Sequence, residues 1–267
     1  MLGQTMPRLR PDTGLFKIET KLFAAGKSRF QNLKKLGRGG FGTAYSAKLR
    51  GKPVIVKLAT GTRGVMSNLV AMKSLAHEIR VLARLQQFPF VPRLVEVGPD
   101  YFVMEDVEGD SMLNLLSKKG LEAERLLGAI VSTAFMMSLI HRDGVAHNDL
   151  EPRNILLTPA GVVVIDFGVS ILRDKQPEAF QDGLKNDLTS LLEQLTLVLS
   201  ARNLPDAVRL IGASTLEKFR KKIVAKDITE DTAAELGRDL VFALAQLSAR
   251  AARGKELDPA VLRVVAV

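Results

Sequence analysis

Residues 145–156, VAHNDLEPRNIL, gather His147, Asp149, Glu151, Arg153 and Asn154 into one short polar stretch that ends in apolar residues. The sequence that follows, NILLT-PAG-VVVID (154–166), predicts a β-hairpin turning at Pro159-Ala160-Gly161. Asn154 and Asp166 then stand at the two ends of one hairpin, where they can converge on a divalent cation. Both offer the hard oxygens that Mg²⁺ requires. Asp149, just upstream, is placed to receive or orient an attacking hydroxyl.

Two further patterns precede this stretch in the chain. Gly37, Gly39 and Gly42 in GRGGFG fit G-x-G-x-x-G. Alone the pattern is weak, and a dinucleotide-binding version should lie between a strand and a helix. Here it lies between two predicted strands, which suits a hairpin covering nucleotide phosphates. Its glycines let backbone N–H groups approach anionic oxygens without a Cβ in the way. Lys57 closes the apolar strand VIVK and needs a partner in such surroundings. Glu78, on the next predicted helix, is a suitable one, and the pair would hold the ammonium against the α- and β-phosphates.

The chain of 267 residues is 46% hydrophobic and 25% charged, the composition of a globular protein with room for one large domain or two modest ones. It has no cysteine, which excludes disulfides and thiolate metal sites and points to a reducing compartment. The longest apolar run, Leu126 to Ile140, is broken by Ser132, Thr133 and Ser138 and reads as a buried helix. The start of the chain lacks the apolar stretch of a signal peptide, so a cytoplasmic location is expected. The net charge is +9. Nine Lys or Arg against Asp12 and Glu19 within residues 1–38 account for +7 of it. Such a face can attract nucleic acid, an acidic protein or anionic lipid, or else only keeps the protein soluble.

Periodicity divides the chain. LFKIETKLFAAG allows a short helix near the N-terminus. Strands are expected at FQNLKKLG, TAYSAKLR and PVIVKLA, with turns at Gly37–Gly42 and Gly51-Lys52-Pro53. A helix over Asn68–Gln87 follows, then strands at RLVEVG and YFVMEDV. Beyond Gly109 the pattern is mainly helical: Ser111–Lys118, Leu121–Arg142, Leu188–Leu199 and several helices to the end. The expected organisation is a basic N-terminal extension (1–27), a β-rich lobe (28–106) and a helical lobe (107–267).

With these motifs in this order, the chain from about Phe30 to Leu199 resembles the protein-kinase-like fold. The resemblance implies an α+β, bilobal architecture with a β-rich N-lobe and a reduced helical C-lobe. It implies ATP and Mg²⁺ as cofactors and transfer of the γ-phosphoryl group to a hydroxyl. Gly37, Gly39 and Gly42 would cover the phosphates, Lys57 and Glu78 would form the pair, and Asn154 and Asp166 would hold Mg²⁺. Asp149 would be the catalytic aspartate. The main chain of Glu105 and Val107 would meet adenine, with Leu156 also lining the nucleotide site and Met104 guarding the pocket behind it. Leu82, Leu94, His147 and Phe167 would form the apolar column of the family.

Departures from the family refine the expectation. Ala44 stands where Val is usual and Ile55 where Ala is usual, so the adenine ceiling keeps its volume with altered shape. Asn148 replaces the Arg that reads a phosphate on the activation loop. Only eighteen residues separate Gly168 from Asp187, which resembles the buried helix-start aspartate that ties down the catalytic loop. Ser/Thr kinases usually place Lys where Glu151 stands. Arg153, four residues after Asp149, is expected to neutralise the transferring phosphate while Glu151 faces outward. Such a shortened lobe is similar both to the atypical RIO and Bud32-like kinases and to kinases for small molecules. GVAHNDLEPRNIL and VIDFGVS look closer to the former, which implies a serine/threonine kinase of RIO/Bud32-like type acting on a protein substrate. The alternatives are a kinase for a small molecule of the aminoglycoside, choline or sugar type, or a slow ATPase-type switch. A small-molecule kinase commonly carries an acidic pocket, whereas residues 187–267 hold more basic than acidic groups.

Overall fold

In the computed structural model, residues 29–39, 42–60, 64–117, 123–200 and 206–252 are described. The expected helix at LFKIETKLFAAG and the extension 1–27 lie outside them. The described chain forms two compact units. One runs to Ala83 and resumes over Arg93–Asp106; the other comprises Arg84–Pro92 and the chain from Val107.

Alternation builds the first unit. Strands β1 (Phe30–Arg38), β2 (Gly42–Leu49), β3 (Lys52–Ala59), β4 (Leu94–Val97) and β5 (Tyr101–Glu105) form one antiparallel sheet in the order β1-β2-β3-β5-β4. Every second residue of β2 and β3 is buried: Tyr45, Ala47 and Leu49, then Val54, Val56 and Leu58. With Phe30 and Val103 they make one apolar cluster. The turn between β2 and β3 is Arg50-Gly51 rather than Gly51-Lys52-Pro53. Both residues have positive φ (51° and 79°), as a two-residue I′ turn demands, so pairing extends to Leu49 opposite Lys52. Pairing also continues past Gly37 to Arg38 opposite Thr43, which shortens the expected glycine turn. Helix α1 (Gly64–Leu85) starts about one turn earlier than Asn68, and buries Ala71, Leu75, Glu78, Leu82 and Leu85 at helical spacing.

The second unit is mainly helical. It holds α2 (Met112–Ser117), α3 (Ala123–Arg142), α4 (Pro177–Leu199), α5 (Asp206–Val224) and α6 (Thr232–Ala252). Helix α3 is central, with Leu126, Ile130, Thr133, Ala134, Met137 and His141 all buried, and it packs against α4 and α6. Short strands hold the loops: β6 (Asp110–Ser111) pairs with β8 (Ile155–Thr158), β8 with β9 (Gly161–Val164), and β7 (Val145–Ala146) with β10 (Ile171–Leu172). The largest difference from the sequence reading is α4. It starts at Pro177, not Leu188, so Asp187 lies in its middle rather than at its start. Proline suits a first helical turn because its missing N–H is one the helix cannot use. The buried Phe180, Leu184, Leu188, Leu191 and Leu195 continue one stripe through Asp187. No helix among the described residues is long and apolar enough to cross a membrane.

Candidate active site

In the first unit, Lys57 faces the same side of the sheet as Ala44, opposite it on β2, and Phe102, opposite it on β5. Its Nζ lies 2.5 Å from Glu78 Oε1, with 17% and 8% of the two side chains exposed. The sheet and α1 thus bring together the pair expected from sequence. Removing either partner would leave a largely buried charge, a loss of about 3–5 kcal/mol for a fully buried pair and less for this one. Ala44 and Ile55 also share this face, diagonally across β2 and β3, and both are half-buried.

Of the three glycines, Gly42 is the one held closely. Gly39 N–H donates to Gly42 O at 2.9 Å, and a Cβ on Gly42 would stand 2.7 Å from Leu58 O. Only glycine allows that approach to β3. Gly37 sits on β1, where the register with β2 shifts. At the far end of the sheet, Glu105 closes β5 and donates its N–H to Arg93 O at 2.9 Å. Val107 lies past the boundary, in the second unit with Leu156, a half-buried residue of β8 opposite Val163. Met104 and Leu82 are buried and Leu94 is half-buried, all in the first unit.

The second unit fixes the loop 145–156 from beneath. Asp187 is fully buried and accepts the backbone N–H groups of His147 (2.8 Å) and Asn148 (2.7 Å). His141 Nε2 lies 2.9 Å from the same carboxylate. The role expected of Asp187 is met from mid-helix. Two neighbours that the sequence reading missed contribute. Gln194 donates to Leu150 O at 2.7 Å, and His141 reaches from α3. Gln194 stands seven residues after Asp187, two helical turns along one face, which was the available signal. His147 packs on Phe167 with ring centroids 4.8 Å apart, and its Nε2 lies 2.9 Å from Ile165 O.

Asp149 and Asn154 meet directly. Asn154 Nδ2 donates to Asp149 O at 2.8 Å and to Asp149 Oδ2 at 3.1 Å. Both amide hydrogens are thus engaged, and the carbonyl oxygen remains as the acceptor. The hairpin register, Ile155 opposite Val164, continues through Ile165 N–H to Asn154 O at 2.9 Å. Asn154 and Asp166 therefore leave neighbouring strand ends, Asp166 in the left-handed region at φ 65°. Among the described residues no group of three or more His, Cys, Asp or Glu could hold a metal. One amide oxygen and one carboxylate fit a cation that completes its shell with water and substrate phosphates, which is the habit of Mg²⁺. They do not fit an all-protein cage.

Arg153 lies on the single turn Pro152–Asn154. It bonds Glu151 Oε2 at 3.0 Å and stands 3.6 Å from Asp149 Oδ2, with 57% of its side chain exposed. Glu151 is also exposed and takes Arg153 as its partner.

A family comparison decides the class: the protein kinase domain matches residues 30–188, more than half of the chain. The chain belongs to the protein kinase domain family. The match spans the glycine hairpin, the Lys57–Glu78 pair, the 145–156 loop, the β8–β9 hairpin and Asp187. This kinase domain is 30% identical to a probable serine/threonine-protein kinase of Clostridium perfringens over 149 residues, 54% of the chain and 22% of that protein. It is 34% identical to CBL-interacting serine/threonine-protein kinase 19 of Arabidopsis thaliana over 156 residues, 56% of the chain and 31% of the relative. Serine/threonine-protein kinase PknD of Mycobacterium tuberculosis is 31% identical over 146 residues, 53% and 22% of the two chains. The kinase domain thus spans less than a third of the length of these relatives.

Proposed function

We propose that the protein is an ATP- and Mg²⁺-dependent serine/threonine protein kinase that transfers the γ-phosphoryl group to a hydroxyl. The observation that carries this reading is the Asp187-anchored loop, in which Asp149 and Asn154 are hydrogen-bonded to each other at the open end of the β8–β9 hairpin. Asp149 takes the proton of the acceptor hydroxyl. Lys57, held by Glu78, places its charge on the α- and β-phosphates, and the backbone of Gly37–Gly42 covers them. Main-chain groups of Glu105 and Val107, with Leu156, receive adenine. Asn154 and Asp166 would hold Mg²⁺, which neutralises charge on the phosphates. Such catalysis is positioning and charge neutralisation, and each of these residues serves one or the other.

The RIO-like, atypical character rests on the likeness of GVAHNDLEPRNIL and VIDFGVS to that group, beside Asn148 and a short chain after Gly168, where eight residues (169–176) precede α4. The relatives matched are named as serine/threonine kinases without that qualifier. The same brevity favours one second reading, a small-molecule kinase, because little chain is left to seat a peptide. Labelled ATP separates the two when label is followed into the protein itself, a protein lysate, small molecules and free phosphate. Label in protein seryl or threonyl groups supports the first reading. Label confined to small molecules supports the second, and label released only as phosphate makes the protein a nucleotide switch. An acidic or nucleic-acid partner for the basic N-terminal region completes the proposal; a cytoplasmic setting accords with the lack of cysteine.

A further inference from the structure

Asn148 stands where the family has the Arg that reads a loop phosphate, and it makes a different set of contacts. Its backbone is left-handed, φ 64°, and its N–H is bound by Asp187 Oδ1 at 2.7 Å. Its side chain joins two further segments. Nδ2 donates to Val169 O at 3.2 Å, just past Phe167-Gly168, and Oδ1 accepts from Asn186 Nδ2 on α4 at 2.8 Å. One residue therefore ties the loop carrying Asp149, the segment after Asp166, and the helix under both. All three lie in the second unit.

The segment so tied has no evident means of being switched by phosphate. Between Gly168 and Pro177 the sole hydroxyl is Ser170, which is 5% exposed. The rest of the segment is held along its length. Ile171 and Leu172 pair with Ala146 and Val145, and Arg173 N–H donates to Gly144 O at 2.9 Å. Arg173 also bonds Glu230 at 2.6 Å and lies over the Phe180 ring, while Asp174 meets Arg84 at 3.5 Å. A kinase controlled at this point needs an exposed hydroxyl, a mobile loop and a cation to read the phosphate. Here the hydroxyl is buried, the segment is paired, and an amide replaces the cation.

We propose that Asn148 is a positioning residue for phosphoryl transfer: its amide latch fixes the loop of Asp149 and the segment after Asp166 permanently, in place of a phosphate. The inference rests on the kinase reading above. Asn148→Gly tests it, because glycine keeps the left-handed backbone and removes only the latch. Asn186→Ala removes one of its two bonds from the other side. The expected result for Asn148→Gly is a kcat lower by about tenfold or more, since small misplacements of reacting groups are costly. The KM for ATP should stay within twofold, and amide hydrogen exchange should quicken over residues 169–174 while the rest of the second unit exchanges as before. Asn186→Ala should move both readouts in the same direction by less. Phosphatase treatment of the wild type should leave its rate unchanged, and mass spectrometry should find no phosphate on Ser170. Wild-type kcat and exchange in Asn148→Gly would overturn the proposal, as would a phosphatase-sensitive rate. If the wild type transfers no phosphoryl group to any acceptor, the kinase reading fails and the positioning role with it. Hydrogen exchange then still shows whether the latch exists.

Discussion

Arg153 is the residue on which the charge balance of the loop turns. It sits between two carboxylates, bonded to Glu151 and 3.6 Å from Asp149, and more than half exposed. On the proposed reading, this guanidinium on the Asp149 side of the loop would neutralise an arriving phosphate, with Glu151 as its partner in the absence of one. Arg153→Ala is expected to lower kcat by roughly 10²–10³, the cost of one charge-stabilising donor, and to leave the KM for ATP nearly unchanged. Glu151→Ala should cost much less. Steady-state kinetics at saturating ATP check both, and a kcat near wild type in Arg153→Ala would reduce Arg153 to a surface ion pair. At this scale the sequence was readable where motifs stand in order. A Lys on a strand is usually only a solvent-facing residue, and the Asp149, Asn154 and Asp166 pattern gains its weight from standing in order after GRGGFG and Lys57. Contacts of ordinary polar residues were not readable. The bonds of Asn148 to Val169 and Asn186, and of His141 to Asp187, depend on segments 21 to 46 residues apart that only folding brings together.

Strands β1 to β5 and the β8–β9 hairpin followed from their own residues, although the β2–β3 turn lay at Arg50-Gly51. The two-residue strands β6, β7 and β10, which exist only through distant pairing, did not. Nor did helix α4. Its first three turns, PEAFQDGLKND, mix charged residues with Gly183, and their apolar stripe is evident only once Phe180 and Leu184 are seen buried beside Ala146. Tertiary packing there outweighs weak local preference. The link between α5 and α6 shows how the helical unit is pinned. Arg142, in the last turn of α3, bonds Asp231 just before α6, and this ion pair holds the Asp231 carboxyl below its ordinary value of 3.8. A depressed carboxyl stabilises the fold above its unfolded pKa and loses that contribution as pH falls through the folded one. Asp231→Asn should therefore lower Tm at pH 7, modestly because the pair is exposed, and the difference from wild type should vanish as pH drops below the carboxylate range. Thermal melts at pH 7 and at about pH 2, below the range of a depressed carboxyl, measure it. An equal difference at both values would mean that the carboxylate charge is not what matters.

Across the whole molecule, charge is distributed by region. No Asp or Glu occurs between Glu19 and Glu78. Within that span Lys34, Lys35, Lys48, Arg50 and Lys52 are exposed and make no ion pair among the described residues. Among the described residues of the second unit several cations face carboxylates, as at Arg84, Arg142, Arg173, Lys218 and Lys222. A polyanion bound by this basic region should show a salt slope of about −0.7 per phosphate neutralised on a single strand. Removing residues 1–27 deletes five basic and two acidic side chains, a net loss of +3, and should flatten that slope. Fluorescence anisotropy of an oligonucleotide across a salt series reads it, and an unchanged slope would assign the charge to solubility alone. The central claim is that Asp149 and Asp166 perform phosphoryl transfer. Its most direct test is transfer from γ-labelled ATP with Mg²⁺ by wild type, Asp149→Ala and Asp166→Ala, each first shown to fold by its thermal melt. The account predicts that Asp149→Ala lowers turnover by roughly 10²–10⁴ and that Asp166→Ala abolishes Mg²⁺-dependent transfer; wild-type transfer in both variants would contradict it.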